Sequence, residues 1–271
     1  MNIFAKILGR VLLGLLLILT LLPFYLLVLN SFKWQNDIVL NPWMWNGAEH
    51  ITNYTKALVQ VARPMVNSLI VTAAVVVGTI LCSLLAAYAF MRFKFFGSNA
   101  LYFGIIAMLM IPGYVMLIPQ FIQINDLGLY NTYFGLILPP TAFNVAMGTF
   151  LLRTSMESIS NSLLEAADME GAKDLTILGK IVLPLSYPTI ATVMIMTGLS
   201  SWNNYLWPLV ASTGEKTQQI TVALTKMVKS LAEGEGILFA GYVIASLPLI
   251  ILFCFSSKYF IAGLTQGSVK G

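Results

Sequence analysis

The sequence predicts an all-α fold, a polytopic membrane helical bundle of about six transmembrane helices with one further helix on the cytoplasmic side. Composition is the first reason: 58% of the residues are hydrophobic and only 10% are charged, whereas soluble domains carry about 25% charged residues. The second reason is a set of six apolar windows that approach the ~20 residues needed to cross a bilayer. A lipid bilayer is therefore the expected solvent of this chain.

The six apolar windows cover residues 11–29, 67–91, 101–118, 133–152, 188–211 and 237–256. None of them contains Lys or Arg, each of which costs about 2.5–3.5 kcal/mol at the centre of a membrane helix. The first window has basic residues before it, as a signal peptide does, but it is long, contains Pro23 and lacks a small-residue cleavage site. We interpret it as a retained span.

Lys and Arg near the span ends predict the orientation of the chain, because these residues are enriched in cytoplasmic loops. Arg92, Lys94, Arg153 and Lys258 follow their spans almost at once, which predicts that both termini are cytoplasmic. The chain then divides into a first helix with an external loop, a transmembrane core and a cytoplasmic tail, at residues 1–66, 67–257 and 258–271.

Two external loops carry patterned side chains. The loop at 31–66 contains Trp34, Trp43 and Trp45, which fit an aromatic belt at the membrane interface or, alternatively, a carbohydrate contact. In the loop at 212–236, apolar residues recur at helical spacing, which predicts an amphipathic helix lying on the membrane or facing a partner protein. These apolar residues are Ile220, Ala223, Leu224, Met227, Val228 and Leu231.

The longest internal loop, at 153–187, predicts a helix on the cytoplasmic face. Ser160 or Ser162 can cap it, and Glu165 follows Ser162 at the spacing of a capping box. Gly171 is expected to end this helix. A second helical piece should follow at 173–181 and stop at the next prolines, Pro184 and Pro188. An ordinary helical connector would have the same pattern.

The spacing within this loop resembles the EAA loop of bacterial binding-protein-dependent ABC importers. Glu165-Ala166-Ala167 is followed by three residues and Gly171, then by nine residues and Ile181, then by one residue and Leu183-Pro184. Further segments are similar to the carbohydrate branch of that family, and the C-terminus is similar to the second maltose-type permease subunit. These segments are Ala87-Tyr88-Ala89-Phe90, Leu127-Gly128-Leu129, Trp202-Asn203-Asn204 and Gly263-Leu264-Thr265.

The resemblance implies a permease subunit, not an enzyme, in a bacterial inner membrane. It implies a second homologous permease subunit, two cytoplasmic ATPases that hold ATP and magnesium, and an extracellular or periplasmic solute-binding protein. The internal loop would be a coupling helix in a cleft of the ATPase, where Glu165 makes a polar contact, Ala166 and Ala167 allow close approach, and Gly171 turns the chain. Asp168, Ile181, Leu183 and Pro184 complete this coupling set.

Nucleotide, metal and nucleic-acid chemistry are not expected on this chain. A P-loop needs G-x-x-x-x-G-K-[ST], but Gly179-Lys180 is followed by Ile181, and Asp174 stands where the first Gly belongs. One histidine and two distant cysteines make a zinc site improbable. The net charge of +4 is too small to indicate nucleic-acid binding. No cofactor is therefore predicted on the chain itself.

Polar side chains inside the predicted spans are the candidates for a solute pathway, because polar groups in a membrane are costly and often functional. Asn144 and Thr149 lie in the fourth window, and Asn203 and Asn204 lie in the fifth. Amides can bond sugar hydroxyls, and Trp202 or Tyr205 could stack on a sugar face. Hydrogen bonds between helices and an aromatic belt are the alternative explanation. Gln120 is interpreted as a solvated residue of an outer turn.

Other cargoes and one other class of protein remain open at this point. The cargo could be an osmolyte, an amino acid or a phosphorylated polyol rather than a sugar, although few cations are available in the spans to hold an anion. A self-sufficient channel or proton-coupled carrier would usually need intramembrane carboxylates or histidine, and the six windows contain none.

Overall fold

The computed structural model describes residues 3–45, 47, 50–229 and 234–266, and every regular element within these ranges is helical. The α-helices are α1 Ile3–Ser31, α2 Gln35–Leu40, α3 Thr52–Arg92, α4 Ser98–Ala107, α5 Leu117–Asp126, α6 Tyr133–Met156, α7 Asn161–Met169, α8 Asp174–Ile177, α9 Leu183–Leu185, α10 Tyr187–Trp202, α11 Leu206–Ala211, α12 Ile220–Lys229 and α13 Glu235–Gln266.

Four of the predicted spans are confirmed as single helices of membrane length among the described residues: Lys6–Ser31, Thr52–Arg92, Tyr133–Met156 and Glu235–Cys254. A pair of helices, Asp174–Leu185 and Tyr187–Trp202, is bent by 76° and passes the same length and composition test only when its two parts are counted together. The predicted cytoplasmic tail begins inside α13, and its last residues, 267–271, lie outside the described part of the chain.

The prediction of one continuous helix at 101–118 is wrong. Helix α4 tightens into a 3₁₀ turn at Met108–Met110, and the chain then leaves the helical conformation at Ile111, whose ψ is 119°. The reason is Pro112, because the ring of a proline disfavours the helical conformation of the residue before it. The chain resumes as α5 at Leu117.

The fifth window, 188–211, is also interrupted. Helix α10 ends at Trp202, and α11 begins only at Leu206. The second helical piece of the internal loop, in contrast, passes the predicted stop at Pro184 and continues to Leu185. A π-helical turn at Leu178–Val182 widens the helix just before Pro184, which relieves the contact between its ring and the carbonyl four residues earlier.

The chain forms two compact units, and the first combines Met1–Met65 with Val222–Pro248. Within it, the amide nitrogen of Asn53 donates to the carbonyls of Ser31 and Lys33, each at 3.0 Å. A Cβ atom on Gly236 would collide with the Lys33 carbonyl oxygen. Burial lowers the pKa of the Lys33 ammonium group, and the Asp37 carboxylate opposes that shift. Helix α13 therefore begins tightly against the end of the first span.

The amphipathic helix predicted in the loop at 212–236 is confirmed as α12, and most of its apolar face is buried within the chain, whereas Val228 stays exposed. That face packs on the chain itself, because the Cβ position of Gly241 lies 3.2 Å from Leu224 and 3.3 Å from Met227. Lys226 remains exposed. Leu231 lies outside the described residues. The buried apolar side chains of α12 are Ile220, Val222, Ala223, Leu224 and Met227.

The second unit comprises Val66–Thr221 and Leu249–Gly271. Its loop between α11 and α12 is fastened by two asparagines. The amide nitrogen of Asn67 donates to the carbonyls of Lys216 and Gln218 at 3.1 and 2.9 Å. Asn131 has a φ of 55°, a left-handed conformation that asparagine tolerates, and its side-chain oxygen accepts from the Thr217 hydroxyl at 2.6 Å.

Helices α3 and α6 contact each other through small residues, as closely packed membrane helices commonly do. A Cβ atom on Gly148 would lie 2.5 Å from the Ser83 hydroxyl oxygen and 3.4 Å from Val193 on α10. A Cβ atom on Gly78 would lie 3.1 Å from Thr141. The two glycines therefore allow the backbones of α3 and α6 to approach.

A Gly148→Ala variant is expected to lose about 1–3 kcal/mol in free energy of unfolding, the usual cost of overpacking. The added methyl group would collide with Ser83. Thermal unfolding of the purified chain in detergent measures the effect. Gly104→Ala is the matched control, because nothing lies within 4 Å of that Cβ position and alanine favours a helix by about 1 kcal/mol over glycine. Equal melting temperatures for the two variants would contradict the close contact.

Candidate functional site

The internal loop forms the predicted helix–glycine–helix segment, which we call the coupling segment, residues 161–185. Helix α7 ends at Met169, and Gly171 follows with a φ of +73°. The Gly171 amide donates to the Asp168 carbonyl at 2.9 Å, and the Ala172 amide donates to the Ala167 carbonyl at 3.0 Å. These two bonds form a Schellman motif, in which glycine is favoured because its φ is positive. The predicted turn at Gly171 is confirmed.

The predicted capping box at the start of α7 is wrong. The N-cap position is Ser160, and its hydroxyl lies 2.6 Å from the Ser162 hydroxyl instead of bonding the backbone. Ser162 is already inside the first turn, so Glu165 lies too far along the helix to reach back to the N-cap.

Burial divides α7 into an inner and an outer face. Leu164 and Ala167 are only 4% and 8% exposed and belong to a core formed with α3, α6 and α10. Glu165, Ala166 and Asp168 are exposed. Ala167 therefore allows α7 to lie close to the chain's own transmembrane helices, and Ala166 is the small residue on the outer face. Of the remaining predicted coupling residues, Ile181 is partly buried, and Leu183 and Pro184 are exposed.

An ionic network joins the coupling segment to the end of α3. The Arg92 guanidinium donates from Nη2 to Asp168 and from Nε to Asp174, the latter at 3.3 Å. The Tyr88 hydroxyl donates to the carbonyl and carboxylate oxygens of Asp174 at 3.2 and 3.3 Å. The sequence predicted a role in orientation for Arg92, but it did not predict the pairing of Arg92 with Asp168 and Asp174. The available signal was the presence of two acidic residues, Asp168 and Asp174, in the internal loop at 153–187, where a basic residue at a span end could pair with them.

Arg153 has a similar position at the end of α6. Its Nε donates to the Glu157 carboxylate at 2.8 Å, and its guanidinium carbon lies 3.8 Å from the centre of the Tyr102 ring. A cation stacked on an aromatic ring stabilises by about 0.5–2 kcal/mol. Arg153 therefore connects α6 to α4.

A groove runs along α6 and α10. It consists of two cavities of about 290 and 270 Å³ that share Phe143, Asn144 and Ser200. Aliphatic residues and prolines form much of its lining, and aromatic rings, neutral amides and hydroxyls lie among them. The polar and aromatic lining residues are Tyr114, Gln120, Phe143, Asn144, Thr197, Ser200, Ser201, Asn204 and Trp207.

Of the predicted pathway residues, Asn144 and Asn204 line this groove. The other four are not among its lining residues. Trp202 and Thr149 are buried in the packing, Asn203 is exposed, and Tyr205 is half-buried.

Gln120 was interpreted as solvated, yet it lines the groove. The break before α5 is the reason: α5 packs beside α11 through a core that includes Ile124, Phe121 and Trp207. The prediction of one continuous helix at 101–118 could not place α5 beside α11.

Trp207 supports the groove wall at a point where a proline interrupts the backbone bonding of α6. Pro139 has no N–H, so the Gly135 carbonyl loses its regular helical donor. The Trp207 indole nitrogen donates to that carbonyl at 3.1 Å. The side-chain oxygen of Asn204, one residue before the N-cap Tyr205, accepts from the Trp207 backbone nitrogen at 3.2 Å and so satisfies one N–H group in the first turn of α11.

Residues 78–266 match the protein family described as binding-protein-dependent transport system inner membrane component. The chain belongs to this family. It is therefore a permease subunit of an ABC transporter and not itself an enzyme, and the expected membership is confirmed.

Individual relatives agree with this assignment. The chain is 36% identical over 205 residues to the arabinooligosaccharides transport system permease protein AraQ of Halalkalibacterium halodurans, covering 76% of this chain and 73% of that one. It is 30% identical over 274 residues to the sn-glycerol-3-phosphate transport system permease protein UgpE of Agrobacterium fabrum, covering 97% and 96%.

A solved structure shares the fold. A bacterial ABC transporter involved in the import of the acidic polysaccharide alginate contains a chain with a TM-score of 0.83 and 27% identity. The alignment covers 95% of this chain and 96% of that one. The predicted all-α permease fold is thereby confirmed.

A Trp207→Phe variant is expected to lose about 1–3 kcal/mol in free energy of unfolding, because the buried Gly135 carbonyl would be left without a donor. Trp202→Phe is the matched control, since Trp202 is buried to a similar extent and the same volume is removed. Denaturation of both variants in detergent, followed by circular dichroism, gives the comparison. If both lose the same stability, the indole hydrogen bond has no specific role.

Proposed function

We propose that the chain forms one half of the translocation pathway of an importer for a neutral oligosaccharide in a bacterial cytoplasmic membrane. A second permease subunit supplies the other half, two cytoplasmic ATPases that bind ATP and magnesium drive it, and a solute-binding protein delivers the cargo outside. Import proceeds by alternating access, in which closure of the ATPases rocks the two permease halves about the pathway. The single observation that carries this proposal is the groove on a chain of this family.

The chemistry of the groove supports a neutral polyhydroxyl cargo. Its amides and hydroxyls can donate to and accept from sugar hydroxyls, and the exposed rings of Phe143 and Tyr114 can contact a sugar. Among the residues that the structure describes, its lining includes no Lys, Arg, His, Asp or Glu. A phosphate or uronate group would need a cation or a cluster of donors. The names of the relatives do not decide the charge of the cargo, because UgpE is named for an anionic solute and AraQ for a neutral one. The lining of the groove is therefore the observation that favours a neutral cargo.

The position of the coupling segment supports both the ATPase contact and the orientation. It packs on the ends of α3 and α6, where Arg92, Lys94 and Arg153 occur. Basic residues at span ends favour the cytoplasmic side. With that side inward, Glu165, Ala166 and Met169 present an exposed face to the cytoplasm, and Met169 is 89% exposed. We count Tyr187–Trp202 and the shorter apolar segment Ser98–Met110 as two further crossings, which makes six and places both termini in the cytoplasm.

A Gly171→Val variant is expected to abolish uptake while membrane insertion remains normal. A branched side chain in the left-handed conformation costs about 1–2 kcal/mol, which would distort the end of α7 and misplace its outer face. Co-purification of the ATPase with the permease and uptake by whole cells are measured together. Gly179→Ala is the control, since Gly179 is an exposed glycine of the same segment with open space around it. Wild-type uptake by Gly171→Val would contradict the proposed contact.

An Asn144→Leu variant is expected to reduce uptake of a neutral oligosaccharide about fivefold, the effect of losing roughly one hydrogen bond. Asn203→Leu is a closely matched control, because each amide also donates to the carbonyl four residues earlier, at 2.8 and 3.0 Å, but Asn203 is outside the groove. The assay is ATP-driven uptake of labelled solutes by the reconstituted complex. Equal losses in both variants, or wild-type uptake of glycerol phosphate in preference to oligosaccharides, would overturn the assignment.

A further inference from the structure

One guanidinium group contacts acids on both arms of the coupling segment. Asp168 lies on α7, before the glycine turn, and Asp174 begins α8, after it. Arg92 pairs with both of them from the last residue of α3. Among the described residues, the other ion pair, between Arg153 and Glu157, joins two residues of neighbouring turns and ties no separate segments together.

Tyr88 adds to this connection from the same face of α3. Residues four apart lie one above the other on a helix, so Tyr88 and Arg92 approach the coupling segment together. The Tyr88 hydroxyl contacts Asp174 through both its backbone carbonyl and its carboxylate. One turn of α3 therefore holds α7 and α8 in a fixed relation to each other and to itself.

The exposure of the pairs indicates positioning more than stabilisation. The side chains of Asp168 and Asp174 are 42% and 49% exposed, whereas that of Arg92 is 21% exposed. Ion pairs this accessible to water contribute little to stability, because solvent screens them. The fork of an arginine nevertheless fixes direction, since separate N–H groups point to separate acceptors, which a lysine ammonium cannot reproduce.

From these contacts we infer that Arg92 is a positioning residue that makes α3 follow the coupling segment when the ATPases move it. The inference rests on the proposed function. Helix α3 in turn contacts α6 where the Cβ position of Gly148 lies 2.5 Å from Ser83. Gly148 is one helical turn from Asn144, which lines the groove. Packed contacts thus run from the coupling segment through α3 to the groove.

The test uses the complete complex, reconstituted in liposomes with its ATPases and binding protein. We expect Arg92→Gln to lower the number of solute molecules imported per ATP hydrolysed about fivefold. The melting temperature and the amount of bound ATPase should stay at wild-type values. Arg92→Lys should not restore the ratio, because its single ammonium group cannot replace the fork. Lys94→Gln is the control. It also removes one positive charge, but from an exposed side chain that lies two residues after Arg92.

Asp174→Asn provides a second measurement if Arg92→Gln fails to assemble, because it leaves Arg92 and Asp168 in place. It should also lower the import ratio while ATPase binding persists. A wild-type ratio in Asp174→Asn or in an assembled Arg92→Gln complex would overturn the inference. So would a ratio in Arg92→Lys equal to that of the wild type. Failure of the proposed function is distinguishable, because the wild-type chain would then neither bind an ATPase nor import solute.

Discussion

The rest of this structure depends on one constraint: backbone polar groups in a bilayer must find partners within the protein. The chain breaks its helices at several places, and side chains fill the positions that the breaks leave open. Trp207 supplies the donor that Pro139 lacks, and Asn204 accepts from a free N–H group in the first turn of α11. Asn67 serves two carbonyls of the outer loop. Because these partners are present, the helices that line the groove can be interrupted and need not cross the membrane as continuous helices.

Arg92 and Arg153, each at the end of a span, combine a preference in topology with a specific contact. Arg92 and Arg153 each follow an apolar stretch, where a positive charge favours the cytoplasmic side. Each guanidinium also makes a specific contact, Arg92 with two carboxylates and Arg153 with a carboxylate and an aromatic ring. Arg92, which the sequence assigns to topology, thus also joins the transmembrane helix α3 to the coupling segment.

The sequence predicted features that arise from local rules. Apolar windows predicted the four spans that form single helices, and a glycine after α7 predicted a turn that needs a positive φ. The break at Pro112 follows from a local rule, because proline disfavours a helical conformation of the residue before it, but the apolar window at 101–118 obscured that signal. Tertiary contacts decide the rest, since they bring Gln120 to the groove and place Ala167 inward and Ala166 outward, which local composition does not show. Hydrophobicity describes transfer into lipid, but it does not distinguish a side chain that faces lipid from one that faces another helix.

The composition of the first compact unit has a consequence for biogenesis. It joins the opening 65 residues to a stretch more than 150 positions later, and Gly236 fits against the Lys33 carbonyl with no room for a methyl group. A ribosome that has released the first span has therefore supplied only part of this unit. The amide of Asn53 can bond its carbonyls early, but the unit is complete only when residues 222–248 have been synthesised. A truncation before residue 222 would thus leave the first 65 residues without the segment that they pack against.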